Sequence, residues 1–231
     1  MTGELHDELA GLGQLEIKKA STAEHAAEVL REIILSGQLP QGQPLREMSL
    51  ATSLDVSRNT VREAIRVLAR EGLVTHSPHK GAVVTRLTQR DVADIFRVRR
   101  TVELAGVEAL PGAPDEDLAP IADATAALEA AAARPGWAAV IDADRRFHES
   151  IVDLVCSPRL SRFYDAIQAE LRLCMSIVDR RNEEREPLVA EHQQLLALIL
   201  ARDVARCTEL MVHQLAKAEQ MLLGVVAKDA P

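Results

Sequence analysis

Three groups of residues carry side chains whose types and spacing could do chemistry. The run Ser57-Arg58-Asn59-Thr60-Val61-Arg62 gathers guanidinium, amide and hydroxyl groups at the start of one helical stretch. Arg pairs with guanine O6 and N7 and Asn with adenine N6 and N7, which makes Arg58, Asn59 and Arg62 candidates for reading base edges in a duplex. Ser57, Thr60 and Arg46 suit phosphate contacts, which set register without reading sequence. The turn His79-Lys80-Gly81 could bring positive charge to the DNA backbone or an adjacent minor groove, with Gly81 permitting close approach. A different chemistry is written in Asp144 and His148. Four residues apart on a helix, their Cβ atoms lie roughly 6 Å from each other on one face, the spacing that two ligands of one metal need. His192 and His213 fall on two later helical stretches. Spacing alone leaves the metal open, since an Asp/His pair one turn apart is equally a surface hydrogen bond, and single histidines equally serve as core or boundary residues. Likewise Arg58, Arg62, Arg66 and Arg70 could be no more than a solvated helix face partnered by Glu63 and Glu71.

The elements around these residues narrow the choice. Ser21-Thr22-Ala23-Glu24 is a capping box opening a helix with Ala27, Leu30, Ile33 and Ile34 at helical spacing, which stops at Gly37. Pro40, Gly42 and Pro44 make the next connection, and a short helix carries Leu45, Met48, Leu50, Ala51 and Leu54. A turn at Asp55-Val56 leads to Ser57, a good N-cap for a helix with Val61, Ala64, Ile65 and Leu68 inward and the arginines outward. Gly72 ends it, and two strand-like runs, 73–76 and 82–85, flank the basic turn as a hairpin. Helix, turn, helix and hairpin is the order of a winged helix-turn-helix, whose second helix enters the major groove. Residues 21–86 are thus predicted to form a DNA-binding domain. From Thr88-x-x-Asp91 onward the pattern is helical throughout, over 88–110, 115–133, 137–155, 158–181, 184–201 and 203–227. Six such helices are enough for an antiparallel all-α bundle spanning 88–228. The predicted fold class is mainly α, with residues 1–20, polar and aperiodic, as a flexible arm.

Composition fits that division. Of 231 residues, 47% are hydrophobic but only 2% aromatic, and Gly and Pro fall between long segments, which favours helix over sheet. The length allows two cores. A net charge of −8 argues against nucleic-acid binding only if it is evenly spread. Between Arg46 and Arg86, seven Lys/Arg face four Asp/Glu, whereas the chain from Leu87 onward sums to −7. A local basic face is what phosphate contact requires. No apolar run approaches the roughly 18 residues of a membrane span, and the N-terminus lacks a secretion signal, so a cytoplasmic location without membrane contact is expected. Cys156, Cys174 and Cys207 form no CxxC pair and read as buried small hydrophobes.

The chain also resembles known families. Gly37-Gln38-Leu39-Pro40-Gln41-Gly42-Gln43-Pro44-Leu45-Arg46-Glu47, Val56-Ser57-Arg58-Asn59-Thr60-Val61-Arg62-Glu63-Ala64-Ile65, Glu71-Gly72-Leu73-Val74 and Lys80-Gly81-Ala82-Val83-Val84 are similar to the N-terminal domain of GntR-type regulators. The resemblance implies that Arg46, Arg58 and Arg62 take the principal DNA-contacting positions, supported by Asn59, Thr60 and Gly81. Asp55 stands where a turn Gly is usual, and Asn59 where Thr is common. Phe147-His148-Glu149-Ser150-Ile151, Glu191-His192-Gln193-Gln194-Leu195 with Asp203, and Met211-Val212-His213-Gln214-Leu215 resemble the FCD effector-binding domain, in its six-helix VanR-like branch. That resemblance implies a divalent metal inside the bundle held by Asp144, His148, His192 and His213. Such a set suits Zn²⁺, or else Ni²⁺ or Mn²⁺, and leaves positions open for a ligand oxygen.

Arg99 matches the inward Arg of the first effector helix and could grip a small organic acid bidentately, or simply pair with Glu103 on the helix surface. Arg172 is a second effector-binding candidate with the same alternative, and Ser157 stands where Asn is frequent. The expectation is a non-enzymatic, homodimeric transcription regulator, a repressor, bound to a palindromic operator of double-stranded DNA. Its affinity would be set by a small carboxylate at the metal, and the helix from Thr88 would join the wing to Arg99. Both release and strengthening of DNA binding by the effector fit this expectation. A metal sensor without organic effector is an alternative. A metal-dependent hydrolase is a remote one, because Glu149 and Glu191 adjoin ligand histidines and point about 100° away from them.

Overall fold

The structure is a computed structural model that describes residues 22–176, 178 and 184–228. The predicted arm at 1–20, the capping residue Ser21 and the end of the helix predicted to reach 181 lie outside the described residues. The first unit runs α1 (Thr22–Leu35), α2 (Glu47–Ser53), α3 (Arg58–Arg70), β1 (Val74–Ser77) and β2 (Gly81–Val84). Ser57 caps α3, its Oγ accepting from the Thr60 N–H at 3.0 Å. The inward stripe of α3, Val61, Ala64, Ile65 and Leu68, shares a core with Ala27, Leu30 and Ile34 of α1. Asp55 turns the chain between α2 and α3 at a φ of 51°, a left-handed geometry that Asp tolerates. Arg31 donates from two nitrogens to Glu71, each at 2.8 Å, and so ties α1 to the end of α3. The wing strands pair antiparallel from Val74↔Val84 to Ser77↔Gly81, and an isolated bridge between Pro44 and Val83 adds the 40–45 connection to the same sheet edge.

The second unit consists of α4 (Gln89–Ala109), α5 (Ala119–Ala132), α6 (Ala138–Asp153), α7 (Pro158–Met175), α8 (Glu186–Leu200) and α9 (Val204–Lys228). The predicted capping box opens α4, with Thr88 Oγ1 accepting from the Asp91 N–H and the Asp91 carboxylate accepting from the Thr88 N–H. Leu128 and Ala131 of α5 pack on Val140 and Ala143 of α6. Helices α4 and α6 meet backbone to backbone at Gly106, where a Cβ would lie 2.1 Å from the Ile151 carbonyl oxygen, and they run parallel, since Glu103 meets His148 one turn earlier on each. Counting back three and seven residues from this contact gives Glu103 and Arg99 on α4, and His148 and Asp144 on α6. The two helices thus present their polar residues to each other in register.

The two units share a core. One continuous cluster of buried apolar residues spans Ala26 to Val226, passing through Leu87, Val92, Leu171, Leu173 and Cys174. A single buried polar side chain pins the joint. Gln41 Oε1 accepts from the Leu87 N–H at 3.1 Å, and its Nε2 donates to the Leu173 carbonyl at 3.0 Å. Cys174 and Cys207 are buried as expected, burial pushing their thiols up to about 12 and about 11. Cys156 departs from that expectation and is exposed in a left-handed turn at φ 54°.

Glycine substitutions test the close approach of α4 and α6. Gly106→Ala should lower stability by about 1–3 kcal/mol through overpacking. Gly224→Ala, on an exposed stretch of α9 with open space around it, should raise it by about 0.5–1 kcal/mol. Urea unfolding of both variants measures the difference in sign.

Candidate metal centre and nucleic-acid interface

Helices α4, α6, α8 and α9 enclose a cavity of about 490 Å³. Much of its wall is apolar, including Val140, Ile141, Leu215 and Met221, and Arg99, Asp144, His148, His192 and Gln214 line it together with Glu184, Glu191 and Lys217. Asp144 and His148 come from one face of α6 and His192 from α8, and one donor atom from each lies within 4.8 Å of the others. His192 Nε2 is 3.1 Å and His148 Nε2 is 3.9 Å from Asp144 Oδ1. Both imidazoles are turned the same way. His192 Nδ1 lies 2.8 Å from the Leu188 carbonyl, to which it can only donate, so in the neutral ring Nε2 keeps its lone pair toward Asp144. His148 Nδ1 lies 2.8 Å from Glu103 Oε2, which favours the same tautomer, although the contact is close rather than a well-directed hydrogen bond. His192 Nε2 is buried without a hydrogen-bond partner. Phe147 wedges both rings, edge to face, with centroids 5.5 Å from His148 and 4.7 Å from His192.

Behind His148 sits a buried charge cluster. Glu103 is fully buried and accepts from Arg99 Nε at 2.7 Å and from the Tyr164 hydroxyl at 2.5 Å. Burial alone would raise its pKa, but the Arg99 guanidinium and His148 outweigh it and hold the carboxyl down at about 2. Burial likewise opposes ionisation of Asp144, yet the close approach of His192 and the charges of His148 and Arg99 keep it below the usual carboxylate range. For His192, burial pulls the pKa down and Asp144 more than restores it, for a net rise. Burial and Glu103 both push the Tyr164 phenol up, so it remains a donor.

Three of the four predicted metal ligands are therefore brought together, and one is not. His213 is exposed. The inward stripe of α9 is Cys207, Met211, Gln214, Leu215 and Leu222, and because successive helical side chains step by about 100°, His213 faces away from the cavity that its neighbour Gln214 lines. Arg99 lines the cavity as expected, but its pair with Glu103 is inside the bundle and not on its surface. Arg172 is corrected. It does not line the cavity but lies 3.7 Å from Glu32 of α1, where α7 meets the winged helix. Sequence reasoning missed Glu103 as the partner of His148, along with Tyr164 and Gln214. The phase of Met211 and Leu215 could have pointed to Gln214, whereas no local pattern singles out Tyr164.

At the other end of the molecule, Arg46, Ser57, Arg58, Asn59 and Arg62 are exposed around the start of α3, and Thr60 is half-buried. Thr60 serves the cap, its hydroxyl 2.8 Å from Ser57 Oγ. Glu47 organises the arginines, accepting from Arg62 at 2.8 and 3.1 Å and lying 3.9 Å from Arg58. His79, Lys80 and Gly81 are exposed at the wing tip, where His79 and Gly81 take φ values of 63° and 74°.

A basic helix start beside a two-stranded wing, packed on an all-helical domain with a ligand-sized cavity, defines a DNA-binding transcription regulator. Residues 22–84 match the bacterial regulatory proteins of the gntR family and residues 94–217 match the FCD domain. The chain belongs to the GntR family and carries an FCD domain. It is 37% identical over 158 residues to an HTH-type transcriptional regulator of Agrobacterium vitis, covering 65% of this chain and 89% of that relative. It is 40% identical over 87 residues to the gluconate operon transcriptional repressor of Bacillus subtilis, covering 38% of this chain and 35% of the repressor. A GntR transcriptional regulator from Rhodococcus sp. RHA1 superimposes with a TM-score of 0.79 at 30% identity, over 88% of this chain and 98% of that one. Escherichia coli McbR/YncC shares the fold, with a TM-score of 0.71 at 21% identity over 91% and 99% of the two chains. The family and these relatives are regulators and not enzymes, so the hydrolase alternative falls. Among the described residues no helix is long and apolar enough to cross a membrane.

The charge cluster can be dissected by substitution. Glu103→Ala should cost about 3–5 kcal/mol by stranding Arg99 as a buried unpaired charge. The double variant with Arg99→Met should recover more than half of that loss in urea unfolding of metal-free protein. Equal losses in the single and double variants would mean the two groups are not coupled.

Proposed function

We propose that the chain is a repressor that binds a palindromic operator as a homodimer, and that a small organic acid at a divalent metal held by Asp144, His148 and His192 sets its operator affinity. The observation that carries this reading is the convergence of a carboxylate with two buried imidazoles, each with Nδ1 turned to an acceptor, the Leu188 carbonyl for His192 and Glu103 for His148. The lone pairs that remain need a cation or a proton donor, and one of them, on His192 Nε2, is buried with no partner. Two imidazole nitrogens and a carboxylate oxygen suit Zn²⁺, Ni²⁺ or Mn²⁺. When bound, such an ion supplies a Lewis-acidic anchor for a carboxylate oxygen. Arg99 adds fixed positive charge to the lining, and the apolar walls suit the hydrocarbon body of the acid.

A path from the cavity to the DNA face supports regulation. Ile141 and Met175 line both the cavity and the crevice where Glu32 and Leu35 of α1, and Ser36 just after it, meet α7. A ligand pressing on that wall acts on the helix against which α3 packs, and Gln41 clamps the joint from the other side. Regulation then requires that the acid bind the DNA-competent and DNA-incompetent arrangements with different affinity.

Thermal unfolding of metal-stripped protein against a panel of small carboxylic acids, with and without Zn²⁺, Ni²⁺ or Mn²⁺, tests the reading. Stabilisation by an acid should need the metal and vanish in His192→Ala, because only a ligand of the folded state raises the melting temperature. If metal alone changes operator binding and no acid does, the ion is the signal. No response to metal or acid would refute the proposal. On the DNA side, Arg58→Ala should weaken specific operator binding by about 1–3 kcal/mol and relax selectivity at one base pair, read by competition titration against operator variants.

A further inference from the structure

Gln214 lies on the inward stripe of α9, only 8% exposed, and lines the same cavity as Asp144, His148 and His192. Its Nε2 donates to the Glu191 carbonyl at 3.0 Å. A backbone carbonyl cannot donate, so the amide can be oriented only one way, with nitrogen toward Glu191 and Oε1 away from it. That oxygen is buried and has no hydrogen-bond partner, a condition native folds rarely leave unexplained. The same holds for Nε2 of His192, the residue that follows Glu191. With the His192 ring neutral, both atoms are lone-pair donors, and neither can satisfy the other. What satisfies both at once is a cation.

We propose that Gln214 Oε1 is the fourth protein donor of the metal, giving a set of one Asp, two His and one Gln in place of one Asp and three His. This rests on the metal reading above and adds to it. An amide oxygen is neutral and harder than an imidazole nitrogen, so the set has two nitrogen and two oxygen donors. Compared with a three-imidazole site, it favours Mn²⁺ more and Zn²⁺ less. It also draws α9 into the centre. That helix packs along α4, through Arg100 with Glu219 and Gln89 with the Leu223 carbonyl, and α4 leads directly from the wing.

Calorimetric titration of the stripped full chain with Zn²⁺ and with Mn²⁺, together with the visible spectrum of the Co²⁺ form, tests the assignment. Gln214→Leu should still bind one ion but about tenfold or more weakly, with an altered Co²⁺ spectrum. Gln214→Glu, which keeps an oxygen donor and adds charge, should bind at least as tightly as the unmodified chain, and His213→Ala should match it. Wild-type affinity and spectrum in Gln214→Leu, or weakened binding in His213→Ala, overturns the assignment while leaving the metal reading intact. Loss of organic-acid binding alone in Gln214→Leu also overturns it and makes Gln214 an effector contact. Absence of metal binding in the unmodified chain removes both readings together.

Discussion

A carboxylate with no access to water lies at the centre of this molecule. Glu103 tolerates that position because Arg99, Tyr164 and His148 surround it, and each of those groups is held in place in return. The guanidinium is pinned at the cavity wall, the phenol is kept protonated, and His148 turns its free nitrogen toward Asp144. Removing any one member leaves the others buried and unmatched, and that penalty is larger than the net gain from making the pair. The cluster therefore specifies geometry more than it adds stability. It can do so only because α4 and α6 touch at Gly106, which brings Glu103 to His148 one turn away. A Cβ at that glycine would lie 2.1 Å from the Ile151 carbonyl oxygen, so the two backbones would have to move apart.

The same helices carry the connection to the DNA face. The winged helix is not a separate body tethered by a linker. It shares a continuous core with the bundle, and Gln41 bridges Leu87, in the segment between the wing and α4, and the end of α7. Two contacts thus lead away from the cavity. One runs along α4 to the wing, and the other passes through the wall formed by Ile141 and Met175 to α1. Packed interfaces of this kind respond to small displacements by shifting between discrete arrangements, which is the property a ligand-controlled regulator uses.

The fold was largely legible because its signals are local. Capping residues, glycine stops and 3.6-residue periodicity are short-range consequences of backbone geometry, and Ser57, Thr88, Asp91 and Gly72 act where those rules put them. The DNA-reading residues were legible for the same reason, since Arg58, Asn59 and Arg62 need only a helix with one face buried to present the other. The interior site was less so. Asp144 and His148 share one helix and could be paired by counting, but His192 joins them only through packing. Residue type pointed to His213, whereas helical phase turns its neighbour Gln214 inward. Arg172 was a weaker candidate of the same type as Arg99, and it lies on the helix that meets the winged domain, whereas Arg99 lies on the helix that faces the cavity.

The sequence by itself determined the order of elements, the winged helix with its basic face, and the carboxylate and imidazole placed one turn apart on a single helix. All of these follow from interactions within a few residues along the chain. Tertiary structure alone decided which histidines converge, that the Arg99 and Glu103 pair is buried, that Gln214 faces the cavity, and that the two domains share one core. Those outcomes depend on the depth and phase at which separate helices meet. That depth is set here by a single backbone contact between residues 45 positions apart, Gly106 and Ile151, which no local pattern encodes.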